Sequence, residues 1–364
     1  MGKTTKIVIA AASIFVVLAG VVAYLVYFDP LGLFGSDLPK YAPEGTDQIE
    51  YINYKKWSKT KIFAAYKKTL SYEEVIEGLR GSGIDVEKLY DSEVCKFRNR
   101  NAEMSGKGFV ETEVCRGSQV GAEFKWRLDL AKKNADRLQK RAEEEKKRAE
   151  EEKREPEKRE VPKFSADKIG GKEAFVYSYG DEKEVAILLD KDLVQYSEKD
   201  DREASPVSVP LKKESTAVTR AIDTKALYSY AWEVKIPEKY RAELNDTEKG
   251  VAIGLKMVRI NVYESGSSDI EVKAEFIYEN DDQAKTAKKF AEELRKKYMA
   301  KKHFRFCPFI DGRSGAEILA AAEISCSGKK IVAKAKYSQN TIARRIEELD
   351  NERREGKKRS ASEK

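Results

Sequence analysis

The chain has 364 residues, 37% of them charged, with a formal net charge of +7 and a single histidine, His303. That length allows two ordinary domains, while the lone histidine excludes most histidine-ligated metal sites and most Ser-His-Asp arrangements. The whole positive excess falls in residues 1–6, 131–160 and 351–364, so the remaining body is neutral and lacks the footprint of a domain that grips nucleic acid.

Residues 7–28 carry no charged side chain. As a helix they span about 33 Å, enough to cross a hydrocarbon core of roughly 30 Å. The run is longer than the apolar region of a cleaved signal, and it leaves through Tyr27-Phe28-Asp29-Pro30, a poor cleavage site. Lys3 and Lys6 precede it, which favours residues 1–6 as a cytoplasmic tip. The expectation is a single-pass cell-membrane protein that meets the membrane through 7–28. Its body would lie outside the cytoplasm, in the periplasm of a bacterium. Residues 29–46, punctuated by Pro30, Gly32, Gly35, Pro39, Pro43 and Gly45, read as a tether.

A first α+β lobe is expected over 47–200. It opens with a strand at 48–54 and a helix at 58–70 with Ile62, Phe63, Tyr66 and Leu70 inward. A capping box at Ser71-Tyr72-Glu73-Glu74 starts a second helix, which should stop at Gly81-Ser82-Gly83. Strands follow around Cys95, over 109–115 and over 122–128. Residues 131–160 differ in kind, being almost wholly Ala, Glu, Lys and Arg. Glu143–Lys147, Glu144–Arg148 and Glu150–Arg154 are spaced as helical i,i+4 pairs. Ala131, Ala135, Leu138, Ala142 and Ala149 make only a thin stripe. The stretch reads first as a long, solvated, charged helix inserted in the first lobe, with a surface for a protein partner as the alternative. Pro156 and Pro162 end it. Residues 163–197 return to sheet, and 201–215, with Pro206 and Pro210, form a linker.

The second lobe, 216–350, reads ββαββα. Strands at 255–263 and 270–278 flank a turn. In the second, Ile270, Val272, Ala274, Phe276 and Tyr278 alternate with Glu271, Lys273 and Glu275, so one face is buried and the other wet. Asn280 caps a helix with Ala284, Ala287, Phe290, Ala291, Leu294 and Tyr298 on one face. A second hairpin at 318–326 and 331–337 turns about Gly328, and a helix at 339–349 closes the lobe. The tail, 351–364, reads as disordered and basic. The expected fold class is thus α+β: a transmembrane helix, then two sheet-and-helix lobes.

Cys95 and Cys115 are 20 positions apart, Cys307 and Cys326 are 19 apart. Each pair opens as Cys-x-Phe and closes as Cys-x-Gly, which suggests a duplication with one pair per lobe. In an oxidising compartment these four are structural disulfide candidates. Three connectivities are open, and Cys95–Cys115 with Cys307–Cys326 is the favoured one. No close Cys-x-x-Cys pair supports structural zinc. A Cys307–His303 nucleophile and base would sit about 13 Å apart on an extended segment, beyond hydrogen-bond reach. Trp57, Trp126, Trp232 and the 18 tyrosines belong to a core more readily than to a ligand groove.

Two motifs carry a resemblance: Ala42-Pro43-Glu44-Gly45-Thr46-Asp47 before the first strand, and Ile169-Gly170-Gly171-Lys172-Glu173-Ala174-Phe175-Val176-Tyr177 with Leu188-Leu189-Asp190-Lys191-Asp192-Leu193. With these the layout resembles bacterial membrane-anchored exported proteins of unassigned role, over residues 42–337 without the charged insert. The resemblance implies an anchored, duplicated α+β body and transfers no activity and no site. The expected function is that of a binding or structural envelope protein, with no cofactor, metal, catalytic residue or small-molecule ligand assigned. The alternatives are an extracytoplasmic hydrolase using carboxylates, and a scaffold facing the cytosol.

Overall fold

The computed structural model describes residues 36–101, 110–152, 163–179, 182–200, 215–236, 242, 246–301 and 305–362. Among the described residues twelve strands, all paired antiparallel, form one sheet. They are β1 (Gln48–Asn53), β2 (Ser92–Arg98), β3 (Val110–Gly117), β4 (Lys163–Ile169), β5 (Lys172–Tyr179), β6 (Glu182–Asp190), β7 (Leu193–Asp200), β8 (Tyr228–Glu233), β9 (Leu255–Ser265), β10 (Asp269–Tyr278), β11 (Glu323–Ser327) and β12 (Lys330–Ser338). Their order across the sheet is β11-β12-β10-β9-β8-β1-β2-β3-β7-β6-β5-β4.

This order corrects the expected two lobes. β1, from the first expected lobe, and β8, from the second, hydrogen-bond at the middle of the sheet, with Ile52 opposite Tyr228 and Ile49 opposite Ala231. Each is a strand with both faces covered near its centre, so neither half closes its sheet without the other. Outward from that pair the strands follow the same plan on both sides: β1-β2-β3-β7-β6 and β8-β9-β10-β12-β11.

The expected anchor is corrected as well. Among the described residues no helix is long and apolar enough to cross a membrane, and residues 7–28 lie outside the described residues. The single-pass, extracytoplasmic placement loses its basis with it. The tether also proves partly structural: Leu38 in a 3₁₀ turn, Leu38–Tyr41, is fully buried beside Ile49, Phe97 and Val114.

Helices cover mainly one face. Between β1 and β2 run four short ones, α1 (Tyr54–Trp57), α2 (Lys61–Tyr66), α3 (Leu70–Gly78) and α4 (Val86–Leu89). Each starts on a polar side chain that accepts an amide hydrogen: Asn53, Thr60, Thr69 and Asp85. Thr69 thus displaces the expected capping box at Ser71. Next comes α5 (Val120–Glu151), which overturns the strand expected over 122–128. Phe124, Trp126 and Leu128 alternate, but Val120, Phe124, Leu128, Ala131 and Ala135 recur at helical spacing, and the helix-rich stretch beyond extends the ladder. Gly121 seats its first turn against the carbonyl of Lys191, where a Cβ would collide.

The later helices are α6 (Ala217–Ala221), α7 (Asp246–Ala252), α8 (Asp281–Lys301), α9 (Gly312–Ala321) and α10 (Gln339–Ser362). The start of the strand expected over 318–326 is the end of α9, whose N-terminus Asp311 caps through the amides of Arg313 and Ser314. The tail read as disordered continues α10 as far as Ser362. Arg353 and Arg354 tie it to Glu74 and Glu73 on α3.

Strand alternation sorts the core into two faces. Ile52, Val94, Cys115 and Val194 stand in one row. That face is covered by α5 on one half and by α1, α2, α9 and α10 on the other. Tyr51, Cys95 and Val114 form the adjacent row on the opposite face.

Candidate functional site

On the covered face α10 packs against α2 and α9. Between the start of α5 and the middle of α10 lies a cavity of about 670 Å³, within the range of small-molecule sites. Its wall draws on both halves of the chain. Tyr54, Tyr66 and Tyr90 come from the helices after β1, Glu113 and Cys115 from β3, and Val120 and Glu123 from α5. Arg305, Phe309 and Asp311 come from the segment before α9, and Leu349, Asp350 and Arg353 from α10.

The aromatic part is a connected, edge-on cluster. Tyr54 and Phe309 have ring centres 5.7 Å apart at 87°, Tyr66 and Phe309 6.3 Å at 81°, and Tyr54 and Tyr90 6.0 Å at 63°. Phe63 and the fully buried Trp57 support Phe309 from below, Trp57 at 4.8 Å. Such pairs place ring edges against ring faces and hold the wall stiff. Burial, then the nearby Glu113, pushes the Tyr54 hydroxyl above its ordinary range, so it stays protonated.

Every charged wall residue has a partner. Glu113 accepts from Lys96 Nζ at 3.0 Å and from Cys115 Sγ at 3.0 Å. Glu123 pairs with Arg127 at 2.8 Å. Asp311 is occupied with the start of α9. Asp350 accepts from Arg354 Nε at 2.6 Å and from the Leu70 amide at 2.7 Å. Burial opposes its ionisation, but these two bonds prevail and its acidity is strengthened. Arg305 donates to the Pro308 carbonyl at 2.7 Å, and Arg353 binds Glu74 and Ser71.

Of the four cysteines singled out by spacing, only Cys115 reaches this wall, and all four are free thiols. The favoured disulfides fail on geometry. Cys95 stands opposite Val114 and Cys115 opposite Val94, so the two thiols leave opposite faces of the sheet. Cys307 is buried among Ile52, Trp57 and Ile310, whereas Cys326 packs beside Tyr278 and Ile331 in another cluster. The matching Cys-x-Phe and Cys-x-Gly pairs are not equivalent either: Cys95 lies in β2 and Cys307 in the turn before α9. Burial pushes the Cys307 thiol up to about 12 and raises Cys115 well above its usual value, with Glu113 adding to the latter. Neither is a thiolate at neutral pH. His303 lies outside the described residues. No group of three metal-ligating side chains occurs among the described residues.

The tyrosine wall was missed because its residues come from two helices and two connecting segments: Tyr54 in α1, Tyr66 in α2, Tyr90 just after α4 and Phe309 before α9. The one sequence signal was density: six aromatics fall between Tyr54 and Tyr90. Trp57 is core, as expected, while Trp232 lies under the Arg100 guanidinium at 5.7 Å. Within the alanine stripe of α5, Ala135 and Ala149 are buried and Ala131 packs against Phe124 and its neighbours. No protein-family model, curated protein or solved structure matches this chain.

Proposed function

We propose that the protein is a non-catalytic binding protein whose ligand enters the cavity between α5 and α10. One observation carries this reading: the charged groups of the wall are all engaged with the protein, while the aromatic rings are left as the surface offered to a guest. A hydrolase of the carboxylate type needs one acid that stays protonated near neutrality and faces the substrate. The carboxyls whose acidity burial weakens, Asp47 and Glu50, are not in the wall. Asp350, which is in the wall, is shifted the other way.

The position fits the reading too. Cavities between two halves of a fold are common ligand sites, and this one needs residues from both sides of the β1–β8 seam. Isothermal titration with 4-phenylbutylamine, 4-phenylbutanol and 4-phenylbutyrate tests it, because the three share a stem and differ only in the head. At least one should bind saturably at one site, and Phe309→Ala should weaken it by about tenfold, in line with loss of a buried aromatic contact. Absence of binding by all three, with the protein folded, overturns the proposal.

A further inference from the structure

The charge around the cavity is unbalanced, and the imbalance has a direction. Four carboxylates stand in its wall, those of Glu113, Glu123, Asp311 and Asp350, against two guanidiniums, those of Arg305 and Arg353. The cations that pair with three of these acids, Lys96, Arg127 and Arg354, are not wall residues. They neutralise from behind. The two wall guanidiniums, by contrast, spend hydrogens on Pro308, Ser71 and Glu74.

A second observation lies on the sheet beside the cavity. On neighbouring strands Glu50, Glu111 and Glu113 share only Lys96 and Arg98: Lys96 pairs with Glu113, and Arg98 with Glu111. Glu50 is left with the residue of both charges and the hydroxyl of Tyr228, and its acidity is weakened, first by burial. A surplus of acid therefore sits on the sheet near Tyr54, in a cavity that Tyr66 and Phe309 also line. Ring faces carry negative quadrupole charge and attract cations, so both contributions have one sign.

We propose that the cavity recognises an organic cation, an ammonium or guanidinium head on an apolar stem. The stem lies along Phe309, Val120 and Leu349, and the head lies against the tyrosine rings within reach of Glu113 and Glu123. This rests on the binding role proposed above and adds the class of ligand. The same head group exists on free amines and on lysine or arginine side chains of a partner protein.

The three phenylbutyl probes decide the class. The amine should bind at least tenfold more tightly than the alcohol, and the carboxylate most weakly. Glu123→Gln and Tyr54→Leu should each narrow the amine-to-alcohol ratio by about fivefold to tenfold, with folding checked by circular dichroism. Glu123 is partly exposed, so this variant tests the idea even where Tyr54→Leu fails to fold. Binding should also weaken with added salt. The pentapeptides Gly-Gly-Lys-Gly-Gly and Gly-Gly-Arg-Gly-Gly separate the sources: tighter binding than butylamine assigns the site to a protein side chain, weaker binding to a free amine. Preference for the alcohol or the carboxylate overturns the cation assignment and leaves the binding role standing. Failure of every probe removes both.

Discussion

Glu275 and Glu50 occupy similar places, mid-strand in the same sheet, and burial pushes both carboxyls toward the protonated form. Their neighbourhoods send them opposite ways. On the open face across β9, β10 and β12, one acid serves three bases: Glu275 lies 3.1 Å from Lys273, 3.2 Å from Lys330 and 3.7 Å from Arg259. Hydrogen bonds from the two lysines outweigh burial and strengthen its acidity. On the central face beside the cavity, three acids share two bases, and Glu50 is the one left short. Burial is the largest cause at both; at Glu275 the hydrogen bonds from two lysines reverse it, and at Glu50 it prevails. One region uses charge to close a surface that helices leave open, and the other holds charge in reserve beside a void.

The largest expected effect tests how the central region is built. Gly121→Ala should cost about 2–3 kcal/mol in urea unfolding, because a Cβ meets the Lys191 carbonyl and α5 must lift. The same variant should weaken phenylbutylamine, since Val120 and Glu123 move with the helix. A stable variant with unchanged binding would uncouple α5 from the cavity.

Next comes Glu275→Ala, which leaves three cations without their shared partner. They are 29–40% exposed and can turn to water, so the expected cost is about 2 kcal/mol, below that of a fully buried pair. Its pH signature follows from the direction of the shift. A lowered folded-state pKa adds stability that is complete above the ordinary glutamate value of 4.5 and is lost as pH falls through the lower folded value. Glu275→Gln should flatten the acid limb of the stability curve there.

Glu50→Gln should behave in the opposite sense. Its raised folded pKa means that ionisation costs stability from 4.5 upward, in full once pH passes the folded value. The substitution should be neutral or stabilising at pH 7, by no more than about 1 kcal/mol. A loss at pH 7 as large as that of Glu275→Gln would erase the contrast. Smallest of all is a labelling experiment without mutation. Cys326 is only half-buried, whereas Cys95, Cys115 and Cys307 are 0%, 7% and 2% exposed. Alkylation followed by mass spectrometry should modify one thiol quickly and the other three on unfolding.

Local pattern made several elements legible. Strict alternation in Ile270, Val272, Ala274, Phe276 and Tyr278 marked β10 and its wet face, and the interval between 255 and 278 marked its hairpin with β9. Yet Glu275 on that wet face is 6% exposed, because the side chains of Lys273, Lys330 and Arg259 fold over it. Five residues of alternation at 124–128 misled, since so short a window fits both periods and the long helix that follows settles it. Paired cysteine spacings misled for a related reason: separation along the chain does not reveal which face a strand residue occupies.

Residue order alone determined the identity of most strands, the long charged helix and the neutral charge balance of the body, because these depend on neighbours within one or two turns. Only the tertiary structure joined β1 to β8, set the four thiols apart and gathered Tyr54, Glu113, Phe309 and Asp350 around one cavity. Those pairings span up to about three hundred positions, and a strand edge accepts any partner that satisfies its amides. Which partner arrives is settled by how two incomplete hydrophobic faces cover each other, a property of the whole chain.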